Sequence, residues 1–199
     1  MENWSGVTLV LGGARSGKSV LAERIALGWD EAVTYLAAGP SGELDPAWAE
    51  RIARHRSRRP FGWRTIEVGP GEDLAGPLRS EPGHVLLDAL GPWAAGLMEG
   101  PFDEEIVAGL CEALEQRRVR GAATVVVSDE VGMGVHPVTE IGRQFRDRLG
   151  VINHAVADLA DEVVLVVAGR PLRLQGLDDL GLGPADRFPP TTKRSGLRR

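Results

Sequence analysis

A glycine-rich turn between an apolar stretch and a helical stretch constrains this chain most. Residues 7–11 are a continuous apolar run, and the P-loop pattern G-x-x-x-x-G-K-[ST] is filled without a mismatch by Gly12, Gly17, Lys18 and Ser19. Glycines let the backbone curl so that its N–H groups point at phosphate oxygens, and the following helix adds its positive N-terminal dipole. Lys18 would reach the β- and γ-phosphates, and the Ser19 hydroxyl would bind Mg²⁺. The stretch predicts a nucleoside-triphosphate site rather than a simple connecting turn.

Apolar runs alternate with helical patterns along the rest of the chain. Strands are predicted over 7–11, 32–38, 64–68, 84–88, 123–128 and 162–168, and helices over 19–28, 46–59, 74–79, 102–120 and 142–160. Strands that alternate with helices predict an α/β fold with a mainly parallel central sheet flanked by helices. We expect a single domain over residues 1–175. Residues 176–199 are poor in apolar side chains and end in basic ones, so they predict a flexible C-terminal tail.

Composition narrows the class of protein. The net charge of -5 implies no general affinity for nucleic acid or for an anionic membrane surface. No apolar run approaches the roughly 20 residues that span a bilayer, and no signal peptide is visible. The single cysteine, Cys111, cannot form an internal disulfide, which is typical of a reducing compartment. We therefore expect a cytoplasmic protein.

Asp88 closes the predicted strand over 84–88. A carboxylate at the end of a buried strand of a P-loop fold is well placed to hold Mg²⁺, directly or through water. The alternative is an acidic residue that merely begins the next loop. The P-loop favours the metal-associated role.

The predicted helix over 46–59 is unusually basic, for it contains Arg51, Arg54, His55, Arg56, Arg58 and Arg59. Crowded like charges are costly unless an anion meets them. One interpretation is a phosphate-binding face whose neutral histidine attacks phosphorus. The other is a solvated basic face with an incidental histidine, and the charge pattern alone favours it.

Asp129 and Glu130 follow the predicted strand over 123–128. Ligands bind at the carboxyl ends of parallel strands, so both should lie near the site. They could provide a general base for a substrate hydroxyl, support a magnesium ion, or cap the following turn. The sequence does not choose among these roles.

Several motifs together are more particular than the P-loop. They comprise residues 12–19, 51–56, 59–60, 63–65, 87–90 with Trp93, 130–135 with Pro137, 142–143, 145–147 and Asn153. The chain resembles the bifunctional adenosylcobinamide kinase and adenosylcobinamide-phosphate guanylyltransferase family of cobalamin biosynthesis. The P-loop is shared by many families, whereas the His55 helix and the Glu-Val-Gly-Met-Gly segment are far more specific to this one.

The resemblance implies a RecA-like P-loop fold, a homotrimer and a two-step reaction. The family phosphorylates the aminopropanol hydroxyl of adenosylcobinamide with ATP or GTP. It then moves GMP from GTP onto that phosphate, releasing pyrophosphate and giving adenosylcobinamide-GDP. The GMP travels on a histidine that aligns with His55, which reverses the interpretation of the basic helix because its arginines now have an anion to meet.

The same resemblance implies the site residues. The catalytic residues would be His55 and Lys18, and Mg²⁺ would be held by Ser19 and Asp88. The nucleotide contacts would be Gly12, Gly13, Ala14, Arg15, Ser16, Gly17, Lys18, Ser19, Ala37, Ala38, Gly39, Arg56, Ser57, Arg58, Arg59, Glu67 and Asp88. We further hypothesise that the Glu67 carboxylate reads the two adjacent N–H donors of guanine.

The chain departs from some relatives, which have Glu at position 88, Asn at 129 and Gln at 154. None of these differences removes a needed chemistry. Two rival classes remain: a P-loop small-molecule kinase without a covalent nucleotide, and a RecA-type ATPase that binds nucleic acid through its basic helix. The negative net charge and the lack of interleaved aromatic residues stand against the second. A signalling GTPase is disfavoured because no Asn-Lys-x-Asp motif occurs.

Overall fold

A computed structural model of the chain describes residues 4–40 and 46–181, without the side chains of 46–48, 51, 54 and 178. The strands are β1 (Val7–Gly12), β2 (Val33–Ala38), β3 (Arg64–Val68), β4 (His84–Asp88), β5 (Thr124–Asp129), β6 (Glu162–Val167) and β7 (Arg170–Leu174). The helices are α1 (Lys18–Ala26), α2 (Pro46–Arg58), α3 (Ala75–Ser80), α4 (Leu90–Ala95), α5 (Glu104–Val119) and α6 (Glu140–Leu159). Short 3-10 helices lie at Gly96–Met98 and Asp178–Leu180.

The strands form one sheet in the order β3-β2-β4-β5-β1-β6-β7. Each neighbouring pair is parallel except β6 and β7, which run antiparallel. The prediction of an α/β fold with a mainly parallel sheet is therefore confirmed. Because β1 lies beside β5, and β5 beside β4, the carboxyl ends of these three strands meet at one edge of the sheet.

Apolar residues cover both faces of the sheet, as the uninterrupted apolar strands predict. On one face, Trp93 of α4, Leu110 of α5 and Ile152 of α6 belong to a large core cluster. On the other face, Ala22 and Ile25 of α1 pack in a second cluster. The sheet is thus a layer between helices, and the segments at its carboxyl edge connect these packed elements.

The structure differs from the sequence-based expectation in three places. Helix α4 and strand β7 were not predicted. The first residues of the expected tail include the 3-10 helix Asp178–Leu180, while residues 182–199 lie outside the described part of the chain. No helix in the described ranges is long and apolar enough to cross a membrane.

Candidate nucleotide site

The P-loop turns tightly between β1 and α1. The Ser16 N–H donates to the carbonyl of Gly13 at 3.2 Å, and Gly17 precedes the helix with a φ of +98°, a conformation that favours glycine. A Cβ at Gly12 would lie 2.8 Å from the backbone oxygen of Val166. The packing therefore requires glycine at position 12, as the motif predicts.

Lys18 and Asp129 form an ion pair at the mouth of this loop. The Nζ of Lys18 lies 2.7 Å from Oδ1 of Asp129 and donates to the carbonyl of Gly13 at 3.3 Å. Asp129 therefore belongs to the site. Glu130 instead accepts from the backbone N–H of Gly132 at 2.5 Å, which matches the turn-capping alternative.

Asp88 connects the P-loop to the basic helix. Its Oδ1 accepts a hydrogen bond from Ser19 Oγ at 3.3 Å. Its Oδ2 accepts from the Tyr35 hydroxyl at 2.5 Å and lies 3.2 Å from Nδ1 of His55. Burial raises the pKa of Asp88, but the hydrogen bonds from His55 and Tyr35, together with the charge of Lys18, outweigh it and hold the pKa below its usual range. Asp88 is therefore an ionised carboxylate, 7% exposed, with both oxygens engaged.

Arg59 covers the ring of Tyr35. Its guanidinium carbon lies 3.4 Å from the ring centroid, and its Nη1 donates to Thr65 Oγ1 at 3.3 Å. Burial and the neighbouring Asp88 charge raise the pKa of Tyr35, so the phenol keeps its proton. The Nε of Arg59 is buried without a hydrogen-bond partner among the described residues. An unsatisfied buried donor on a cation is costly, and an anionic ligand would satisfy it.

A cavity of about 920 Å³ opens beside these residues, between α2 and the carboxyl ends of β2, β3 and β4. This volume is in the range of small-molecule and cofactor sites. Eight of the residues predicted for the site line it: Ala37, Ala38, Gly39, His55, Arg56, Arg59, Glu67 and Asp88. The structure therefore brings eight of the family's expected contacts, from four separate segments, around one space.

Two predicted contacts on α2 do not line this cavity. Arg58 makes a two-pronged ion pair with Glu23 of α1, with both N–O distances at 2.9 Å, and Ser57 is exposed. Arg56 does line the cavity, where it pairs with Glu67 of β3. The side chains of Arg51 and Arg54 lie outside the described part of the chain.

Ser19 and Asp88 offer the donor set that a P-loop magnesium ion uses. A hydroxyl and a carboxylate oxygen lie 3.3 Å apart at the start of α1. Mg²⁺ takes few protein oxygens and completes its octahedron with water and substrate phosphates. The residues present therefore fit this ion.

Sequence reasoning missed Tyr35. Its place in a buried strand made it look like an ordinary core residue, and its side chain is 1% exposed. Buried tyrosines need a partner for the hydroxyl, so the tyrosine within the apolar run of β2 was a signal that could have been read. The partner itself, Asp88, comes from a different strand.

The cobinamide kinase / cobinamide phosphate guanyltransferase family matches residues 8–174. The chain belongs to this family. Membership confirms the resemblance given by the motifs, and with it the predicted kinase and guanyltransferase activities. It favours them over the two rival classes.

Two relatives support this family assignment over nearly their whole length. The bifunctional adenosylcobalamin biosynthesis protein CobP of Pseudomonas aeruginosa is 42% identical over 172 residues, covering 84% of this chain and 96% of the relative. The bifunctional adenosylcobalamin biosynthesis protein CobU of Salmonella typhimurium is 35% identical over 187 residues, covering 84% and 98%.

A solved structure supports the P-loop fold. The chain is similar to the assembled ATPase EscN of the enteropathogenic Escherichia coli type III secretion system, with a TM-score of 0.50 and 12% identity. The match covers 91% of this chain but 46% of that protein. At this identity the similarity concerns the fold alone.

Proposed function

We propose that this chain phosphorylates adenosylcobinamide with ATP or GTP and then transfers GMP from GTP to the product through a covalent intermediate on His55. One observation carries the proposal. A single hydrogen-bonded chain of side chains runs from Ser19 of the P-loop through Asp88 to His55. The triphosphate loop and the candidate nucleophile are therefore close enough to act on one bound nucleotide.

In the kinase step, the P-loop N–H groups and Lys18 bind the β- and γ-phosphates and stabilise the charge that develops during in-line transfer. The Lys18 ammonium group lies 2.7 Å from the Asp129 carboxylate. When a nucleotide binds, its phosphate oxygens would replace Asp129 as the partner of Lys18. Ser19 and Asp88 would hold Mg²⁺, which when bound neutralises phosphate charge. The acceptor is the aminopropanol hydroxyl, and ADP or GDP leaves.

In the guanylyl step, a nitrogen of His55 attacks the α-phosphorus of GTP. The N–P bond forms as the bond to the bridging oxygen breaks, and pyrophosphate leaves. The cobinamide phosphate then attacks the same phosphorus, which breaks the N–P bond and releases adenosylcobinamide-GDP. Arg56 and Arg59 line the same cavity as His55 and would bind phosphate oxygens.

The remaining expectations belong to this proposal. Residues 1–175 form the catalytic domain, and the protein works in the cytoplasm as a homotrimer. These features follow from the resemblance and from the composition of the chain. Gel filtration with light scattering tests the trimer, because a monomeric mass would contradict it.

The deciding experiment is incubation with Mg²⁺ and GTP labelled at the α-phosphate, followed by denaturing electrophoresis. We expect a label on the protein that is lost in acid and stable in alkali, as a phosphoramidate is. His55→Ala should abolish the label and spare much of the kinase activity. His154→Ala is the matched control, because His154 is an exposed histidine on α6 and its loss should leave the label unchanged.

The outcomes separate the candidate mechanisms. If His55→Ala keeps the label, the intermediate lies elsewhere. If no label forms while γ-phosphate transfer persists, the chain is a P-loop kinase without covalent nucleotide transfer. Equal loss of both activities in His55→Ala would contradict the proposed division between the two steps.

A further inference from the structure

Tyr35 reaches the functional site from inside the sheet. It lies on β2, where its strand neighbour across the ladder to β4 is Leu86. Its hydroxyl donates to Oδ2 of Asp88 at 2.5 Å. It is not among the site residues predicted from the sequence, although it lines the cavity.

The same carboxylate oxygen faces His55. Nδ1 of His55 lies 3.2 Å from Oδ2 of Asp88, and an ionised carboxylate can only accept hydrogen bonds. The contact therefore requires the proton on Nδ1. In the neutral imidazole, which the attack requires, Nε2 then carries the lone pair, and it has no partner in the described part of the chain.

We propose that Tyr35 is a positioning residue for guanylyl transfer: its hydroxyl fixes the Asp88 carboxylate, which holds Nδ1–H of His55 and leaves Nε2 to attack the α-phosphorus. This inference rests on the proposed function of His55. Without the hydroxyl, the Asp88 carboxylate loses its shortest contact and can rotate about its Cβ–Cγ bond. The ring of His55 then loses a fixed acceptor.

Three features suit Tyr35 to the role of a positioning residue. The residue is 1% exposed, which limits the access of water to the hydrogen bond between its hydroxyl and Asp88. Arg59 covers one face of the ring at 3.4 Å, and the Trp63 ring lies 6.5 Å away, centroid to centroid. The phenol is thus locked in one place by a packed surround, which is what a positioning group requires.

In this arrangement each bond that forms is matched by a bond that breaks. The Nε2 lone pair forms the N–P bond while pyrophosphate leaves with the electrons of the broken P–O bond. The imidazole becomes a cation, and the proton on Nδ1 remains hydrogen-bonded to the Asp88 carboxylate, which stabilises that cation. When the acceptor phosphate takes GMP, the ring returns to its neutral form with the proton still on Nδ1.

The test is Tyr35→Phe, which keeps the ring and its stacking on Arg59 and removes only the hydroxyl. We expect the single-turnover rate of GMP labelling to fall by about tenfold, since a hydrogen bond to a charged group is lost. The GTP concentration for half-saturation should stay within about twofold, because the hydroxyl binds no part of the nucleotide. The kinase rate should fall less than the labelling rate.

The control is Thr34→Val on the neighbouring residue of β2. Thr34 also makes a buried hydroxyl–carboxylate hydrogen bond, to Glu81 at 2.8 Å, but it does not line the cavity. Its loss should reduce thermal stability and leave the labelling rate unchanged. If both variants slow labelling alike, or if Tyr35→Phe labels at the wild-type rate, the proposal is overturned.

A second measurement reports directly which nitrogen of the His55 ring carries the proton. In protein labelled with ¹⁵N-histidine at slightly alkaline pH, the ring signals of His55, assigned by their absence in His55→Ala, should report the proton on Nδ1. A proton on Nε2 would overturn the proposal. Failure of the underlying function gives a different result. A label that survives in His55→Ala would contradict the intermediate on His55 itself. A label that is lost in His55→Ala but forms at the normal rate in Tyr35→Phe would contradict only the positioning role.

Discussion

Arg117 lies at the amino ends of the strands and is fully buried, whereas Arg59 lies at their carboxyl ends and is partly buried. The two also differ in how their hydrogen-bond donors are used. Arg117 is 0% exposed and donates from Nε to Thr124 Oγ1, and from its terminal nitrogens to the carbonyls of Leu78, Glu81 and Gly83. Arg59 has a buried Nε with no partner among the described residues. The chain satisfies the first arginine by itself, whereas the second still needs an acceptor.

We infer that this difference separates a residue that stabilises the fold from one that binds a ligand. Burial and the charge of Arg120 lower the pKa of Arg117 to about 10, yet it stays protonated at neutral pH and fastens α5 to the chain before β4. Arg59 lies instead in the wall of the large cavity. Completeness of hydrogen bonding thus distinguishes two arginines that sequence composition treats alike.

The largest effect is expected from Arg117→Met. Removal of the guanidinium leaves buried carbonyls without donors, so the free energy of unfolding should fall by about 3 kcal/mol. Urea unfolding without nucleotide measures it. The matched control is Arg118→Met, whose ion pair with Glu115 is exposed and should contribute little to stability. The KM for GTP should not change, and a large change would contradict the structural role of Arg117.

Arg59→Met should show the opposite pattern. The concentration of GTP for half-saturation should rise about tenfold, because a charge-assisted contact to phosphate is lost. The unfolding free energy without nucleotide should change by less than about 1 kcal/mol. Arg59→Lys keeps the charge without the planar donor and should recover only part of the affinity. Loss of stability with unchanged GTP binding would show that Arg59, like Arg117, serves the fold rather than the ligand.

The acidic residues of the two regions allow a similar test. Glu81 is 6% exposed and bonds to Thr34 and Arg64, whereas Glu67 is half-exposed in the cavity wall beside Arg56. Glu67→Gln should reduce the preference for GTP over ATP in the labelling reaction about fivefold, if Glu67 accepts the guanine donors. Glu72→Gln, in the same wall, is the control. An unchanged preference in Glu67→Gln would remove the guanine-reading hypothesis.

Arg58 should give the smallest effect. Its partner Glu23 is almost buried, and the pair raises the pKa of Arg58 while it ties the end of α2 to α1. A double-mutant cycle with Arg58→Ala and Glu23→Gln should give a coupling energy of about 0.5 kcal/mol, because the arginine side chain is 32% exposed. A tenfold rise in the KM for GTP would instead make Arg58 a nucleotide contact.

Local patterns were enough to predict the strands that carry the site. The run that ends at Asp88 predicted a strand with the correct carboxyl end, and the run before Gly12 predicted a strand that ends one residue too early. Strand β7 was missed because Pro171 and two arginines disguise it, although proline is tolerated at a sheet edge. Helix α4 is short and contains Gly91 and Pro92, which also argue against a helix.

The arrangement around Asp88 could not be predicted from local patterns. Tyr35, His55 and Asp88 lie on β2, α2 and β4, and they meet because β2 and β4 are neighbours in the sheet. Sequence order does not give that neighbour relation. The side-chain partners of Lys18 and Arg58 were equally hidden, since each comes from an element far away in the chain.

The two oxygens of Asp88 have an evolutionary consequence. One faces Ser19 of the P-loop and the other faces His55. A substitution at position 88 disturbs both contacts at once, so selection cannot adjust one activity there without affecting the other. A descendant that keeps only the kinase activity can instead lose His55, because His55 contacts only one of those oxygens. Position 88 should therefore vary less among such descendants than position 55.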